Sequence, residues 1–174
     1  MRQRVSERRF SHILRVAQLA DEIARANHFS ERELHITSQA AILHDVAREL
    51  SPQDMFRLAP PETELERNFP MTLHGRAGRK IAESWDVTNK QILDAIEGHV
   101  FGVEHDNRPG MAVYIADVSE PARGVNQDIR ELAMTDLFSA YQRAVDSKVR
   151  YLQSKGKAVH PITLKVHRAL CSVA

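Results

Sequence analysis

Apolar residues recur at spacings of three and four along most of the chain, and each run of that kind predicts a helix. From about Ser6 to Asn27, Phe10, Ile13, Leu14, Ala17, Ala20 and Ala24 make one stripe, and Val16, Leu19 and Ile23 widen it. His12 leads the row Val16, Leu19, Ile23, so its ring is expected to face inward. Ser30 followed by Glu33 has the form of a capping box and opens a second helix expected to run through Ala40, Ala41, Ile42, Leu43, Val46 and Ala47. That run places His44 and Asp45 in its most apolar stretch. Ser51-Pro52 stops it and starts a short helix over Gln53 to Leu58, closed by Pro60-Pro61.

Residues Pro60 to Pro70 lack a period and read as a polar loop able to cover the mouth of a site. His74 stands at the entry of a helix carrying Ala77, Ile81, Ala82 and Trp85, with Gly75 and Gly78 leaving room for close packing or a ligand. Thr88 is the expected cap of the next helix, whose apolar face is Ile92, Leu93 and Ile96 and whose end carries Gly98 and His99. Met111 to Val118 reads as a buried helix with one charged residue, Asp117. A single long amphipathic helix is expected from Asn126 to about Lys155, ended by Gly156, with a last helix after His160-Pro161.

Scarce glycine and proline, seven of each and lying between the periodic segments, favour an all-α fold over a turn-rich β fold. At 174 residues and 43% hydrophobic content the chain suits one domain with one substantial core. With 24 Lys and Arg against 23 Asp and Glu, the net charge of +1 supplies no basic field for a nucleic-acid partner. No apolar run reaches the ~20 residues of a membrane span, so neither a membrane nor a secreted location is expected, and the cytoplasm is. The lone Cys171 excludes a disulfide framework and a cysteine-built zinc site, leaving nitrogen and oxygen donors for any metal.

Burying Asp45 and Asp117 among apolar residues costs several kcal/mol unless something neutralises them. A divalent cation would do so while accepting lone pairs from neutral imidazoles, and His12, His44, His74 and His99 are the imidazoles in or beside the same helices. Each residue alone has a plainer reading: His12 as a hydrogen-bonded core histidine, His74 and His99 as helix caps, Asp117 as the partner of an arginine. Together they make a candidate site for one or two metals.

The order His12, His44-Asp45, Asp117 resembles the ligand signature of the HD-domain metal-dependent phosphohydrolases. More narrowly, the chain is similar to the bacterial YqeK-type HD proteins, hydrolases of diadenosine tetraphosphate that cleave it symmetrically. The similarity is carried by Ser11-His12, Ala41 to Ala47, Leu73-His74-Gly75, Ala95 to His99, and Tyr114 to Arg123 with its Ala-Asp, three residues, Pro-x-Arg arrangement. It implies an all-α, single-domain HD bundle with a metal-binding core over about residues 8–124 and C-terminal helices over about 126–171 packed on it. It also implies a cytoplasmic enzyme with two metals, iron first and manganese or zinc as alternatives. His12, His44 and Asp117 would hold one metal and His74 and His99 the other. Asp45 would bridge them, and a hydroxide shared by the metals would attack an inner phosphate to give two ADP. Asp45 and Arg48 are the implied catalytic residues, and Arg48, Arg76, Gly102 and Arg123 the implied phosphate or nucleotide contacts. Val100 stands where that family usually has threonine, and Arg48 where it usually has lysine. Two alternatives stay open: an HD phosphohydrolase acting on a nucleoside monophosphate, guanosine polyphosphate or cyclic dinucleotide, and a non-catalytic nucleotide-binding HD protein. The long C-terminal helix could complete the monomer core or face a second subunit as a homodimer.

Overall fold

The computed structural model describes residues 4–172, and among them the regular elements are helices: α1 (Glu7–Ala26), α2 (Glu31–Leu43), α3 (Pro52–Leu58), α4 (Glu64–Asn68), α5 (His74–Glu83), α6 (Lys90–Gly98), α7 (Arg108–Ser119), α8 (Gln127–Ala133), α9 (Leu137–Ser154) and α10 (Pro161–Cys171), with 3-10 turns at Pro70–Leu73 and Pro121–Arg123. Most starts carry a cap written in the sequence. The Ser6 hydroxyl accepts the Arg9 N–H, Ser30 and Glu33 cap each other reciprocally, and Ser51 precedes Pro52 at the start of α3.

Helix α7 is the axis of the fold. It is apolar on every side, with Pro109 to Ala116 all buried, and it packs against α1, α2, α6, α8 and α9. A chain that surrounds one helix this way must bring distant segments onto it. The main core therefore joins Val16, Ile23, Ile36, Ile96, Ile115, Tyr141 and Val145, drawn from α1, α2, α6, α7 and α9. A smaller core of Val46, Met55, Leu73, Ala77 and Ile81 fixes α3 and α5 beside it.

Five local expectations differ from the structure, each for a physical reason. Helix α2 ends at Leu43 instead of running through Ala47. There the chain tightens into turns closed by Val46 N to Leu43 O, Arg48 N to Asp45 O and Leu50 N to Ala47 O, while the His44 ring takes the Ala41 carbonyl that a continuing helix would use. The stretch after Pro60 holds α4, started by a Thr63 and Glu66 capping box. Asn89, not Thr88, caps α6, its Oδ1 accepting from the Gln91 and Ile92 N–H groups. The single helix expected from Asn126 to Lys155 is two, because Asp136 caps α9 and Asn27 intervenes: its Nδ2 donates to Ala133 O at 2.7 Å and its Oδ1 accepts from Leu137 N at 3.1 Å. Leu14, placed in the α1 stripe by its spacing, is exposed.

A candidate dinuclear metal centre

Five separate pieces of chain deliver the six candidate ligands. His12 lies in α1, His44 and Asp45 in the turn that ends α2, His74 opens α5, His99 follows α6, and Asp117 lies in the last turn of α7. Close approach of α5 and α6 is possible because residue 75 is glycine: a Cβ there would stand 2.4 Å from the Glu97 carbonyl oxygen. Donor atoms of His12, His44 and Asp117 lie within 4.8 Å of one another, as do those of His44, Asp45 and His99.

Asp45 stands between two groups of imidazoles. Its Oδ1 is 3.4 Å from His74 Nε2 and 3.6 Å from His99 Nε2, while its Oδ2 is 3.7 Å from His12 Nε2 and 3.6 Å from His44 Nε2. Asp117 Oδ1 belongs to the second group, 3.0 Å from His12 Nε2 and 3.9 Å from His44 Nε2. One carboxylate thus reaches both halves of the cluster and the other reaches one half.

The opposite nitrogen of every ring is already committed. His44 Nδ1 donates to Ala41 O at 2.7 Å, His74 Nδ1 to Met71 O at 2.5 Å and His99 Nδ1 to Ile96 O at 2.6 Å, each to a carbonyl three residues earlier. His12 Nδ1 lies 3.1 Å from the Glu120 carboxylate. Carbonyls and carboxylates only accept, so Nδ1 carries the proton and a neutral ring presents a bare Nε2 to the centre. Burial keeps His44 below the ordinary histidine range, and burial together with His99 pushes His74 down to about 3.

Those bare nitrogens test whether a cation fits. His44 Nε2 is buried without a hydrogen-bond partner. His74 Nε2 and His99 Nε2 face each other at 2.9 Å. Lone pairs aimed into a shared, water-poor space and flanked by two carboxylates suit a divalent metal of nitrogen and oxygen preference. Burial pushes Asp45 and Asp117 upward, but histidines around both, and Arg123 beside Asp117, outweigh it and hold both well below the usual carboxylate range.

Arginines close the open side. Arg9 Nη1 binds Asp45 Oδ2 at 2.8 Å, Arg123 Nη2 binds Asp117 Oδ1 at 2.5 Å, and Arg15 Nε binds Glu120 Oε2 at 2.9 Å. Arg48 is half-buried within the field of Asp45, Asp117, Arg9 and Arg123, yet its guanidinium makes no hydrogen bond or ion pair among the described residues. A cleft of about 470 Å³ lined by Arg8, Arg9, His12, Arg15, Glu120 and Arg123 opens onto the His12 side. The remaining two expected contacts lie elsewhere. Arg76 is held by Glu62 at 2.8 Å, Glu66 at 3.1 Å and the Pro60 carbonyl at 2.7 Å, and with Gly102 it lines a separate 560 Å³ cleft containing none of the six ligands.

Sequence reasoning overlooked Glu120, Arg9 and Arg15. All three had a signal available: Glu120 follows Asp117 by three residues, Arg9 precedes His12 by three and Arg15 follows it by three, the spacing that puts helical side chains on one face.

Comparison with known proteins identifies the family and the fold. The HD-domain family model matches residues 9–122. A symmetrical bis(5'-nucleosyl)-tetraphosphatase of Bacillus subtilis is 30% identical, with 99% of this chain and 94% of that protein aligned. One of Halalkalibacterium halodurans is 25% identical over 95% of this chain and 90% of its own. A probable nicotinate-nucleotide adenylyltransferase/Ap4A hydrolase of Mycoplasma genitalium is 32% identical over 79% of this chain, which spans only 41% of that protein's length. In fold, the chain superposes with a TM-score of 0.88 on a Clostridium acetobutylicum structure described as a predicted HD superfamily hydrolase involved in NAD metabolism, at 24% identity over 99% of this chain and 93% of that one. With the matched region running through His12, the His44-Asp45 pair and Asp117, the chain belongs to the HD-domain family.

Proposed function

We propose that this HD-domain phosphohydrolase cleaves diadenosine tetraphosphate symmetrically, releasing two ADP, with two divalent metals held by His12, His44, Asp45, His74, His99 and Asp117. The observation that carries the reading is the position of Asp45, whose two oxygens address the two imidazole groups separately. Iron is the first choice of metal, and manganese or zinc suits the same donors. When bound, such ions supply an acidified water near neutral pH and positive charge at the phosphoryl oxygens.

The chain's own residues do the positioning. Glu120 fixes the His12 ring by accepting from Nδ1, and Arg15 fixes Glu120. Arg48, with its donors unspent, is suited to grip a phosphate bidentately, and Arg9 and Arg123, paired with Asp45 and Asp117, add positive charge beside it. In the reaction water adds to one of the two inner phosphorus atoms and the bond from that phosphorus to the central bridging oxygen breaks. The departing ADP is stable as an anion, so no strong general acid is required. Full-length relatives named as symmetrical tetraphosphatases support the choice of substrate.

The test is product identification. Protein purified anaerobically, with its metal content measured, is expected to convert diadenosine tetraphosphate to ADP alone. ATP with AMP would exclude the symmetrical cut, and preferred turnover of another member of a nucleotide panel would replace the substrate.

A further inference from the structure

Lys148 is a half-buried cation that no carboxylate among the described residues pairs with. It lies in α9, behind α7, and its Nζ donates to the carbonyl of Val100, the residue after His99. An ammonium has three donors, and among the described residues no carboxylate lies within ion-pair distance of this one. Nζ stands 5.6 Å from the centre of the Tyr114 ring, one helical turn before Asp117, and the nearest carboxylate field acting on it is that of Asp117. The Tyr114 hydroxyl is itself fully buried with no partner. Burial pushes the Lys148 amine down to about 8, so it is still mostly charged at neutral pH.

A structural role alone accounts poorly for these facts. One neutral carbonyl does not repay the desolvation of an ammonium, and a methionine would fill the same channel without that cost. The unpaired charge is anchored at the residue after His99 and acts on Asp117 from the α9 side, whereas Arg9 and Arg123 are engaged at Asp45 Oδ2 and Asp117 Oδ1. We propose that Lys148 is a substrate-contacting residue whose ammonium binds a phosphate oxygen of the nucleotide at the His99 and Val100 edge of the centre. This rests on the reading of that centre as a nucleotide phosphohydrolase. An anion seated there would satisfy the free donors of Lys148 and complete the ring of cations around the phosphates.

The experiment measures binding of ADP and of uncharged adenosine to zinc-loaded full-length wild-type protein and to Lys148→Met, with metal content determined for both. The expected result is an ADP dissociation constant raised about ten- to hundredfold in the variant, with adenosine binding and metal content unchanged. If wild type binds ADP and Lys148→Met binds it within twofold as tightly, Lys148 is not a phosphate ligand, and the proposed function stands. If wild type binds neither ADP nor inorganic pyrophosphate, this proposal falls together with the reading beneath it. Should the variant fail to fold, reductive methylation of wild type followed by peptide mass spectrometry decides: ADP, and not adenosine, is expected to slow modification of Lys148. Equal rates with and without ADP would overturn the assignment.

Discussion

The Nε2 atoms of His74 and His99 lie 2.9 Å apart while the Nδ1 atom of each ring is tied to a backbone carbonyl. Two acceptors thus face each other where α5 and α6 pack closely at Gly75. A cation held there would accept both lone pairs.

Removing metal is therefore expected to destabilise the fold as well as abolish turnover. At a metal concentration about a hundredfold above its dissociation constant, binding contributes roughly 2.7 kcal/mol. For a chain of this size that corresponds to a fall of about 5–10 °C in the unfolding midpoint on chelation. Thermal unfolding with and without chelator checks this, and an unchanged midpoint contradicts a metal held by these rings.

Glu120→Gln should weaken the His12 side of the centre. The carboxylate accepts from His12 Nδ1 at 3.1 Å and from Arg15 at 2.9 Å, and loss of its charge is expected to cost about 10–100-fold in metal affinity or activity. Arg15→Ala leaves the carboxylate in place and is expected to cost less. Metal-binding isotherms of the two variants give the order, and the reverse order refutes the orienting role.

Gly75→Ala should damage stability and site together. Its Cβ would meet the Glu97 carbonyl oxygen at 2.4 Å, a backbone atom that cannot swing aside, whereas a Cβ at Gly78 meets only Ile96 Cγ2 at 3.3 Å and looser neighbours. Such overpacking costs roughly 1–3 kcal/mol. Urea unfolding is expected to rank Gly75→Ala well below Gly78→Ala, and equal midpoints would mean that α5 and α6 can move apart.

A fourth prediction concerns pH. Burial pushes the Glu66 carboxyl up, but the N–H groups of Glu62 and Thr63, Arg76 and His160 outweigh it and lower its pKa from the ordinary 4.5. A carboxylate lowered on folding stabilises fully above the unfolded value, and that contribution is lost as pH falls through the lower folded one. The stability gap between wild type and Glu66→Gln should therefore be widest near neutral pH and narrow as pH drops below about 4.5. Denaturant titrations from pH 7 to pH 3 measure it, and a constant gap would mean that Glu66 acts by shape alone.

Much of this centre was legible as residues and little of it as geometry. A polar pair such as His44-Asp45 inside an apolar run is conspicuous because burial makes an unpaired carboxylate expensive, and Asp117 is conspicuous for the same reason. The turn holding His44 and Asp45 was not legible, because the Ala41 carbonyl taken by the His44 ring is a competition decided in three dimensions. The break between α8 and α9 depends on Asn27, more than a hundred residues earlier, which no local pattern reveals. Helix α4, by contrast, had a signal in the sequence, the Thr63 and Glu66 capping box, but reading Pro60 to Pro70 as a loop passes over it. Arg76 looked like a phosphate contact by charge and position, but its charge is answered by Glu62 and Glu66, contacts that only the folded chain creates.

His12 and Asp117 meet at 3.0 Å although 105 residues separate them. On the proposed assignment, a growing polypeptide that lacks α7 holds an incomplete donor set on the His12 side, so filling of that half would follow synthesis of the first two thirds of this chain. Cofactor loading of that half would then be a late checkpoint, one that reports that the first and seventh helices have already found each other.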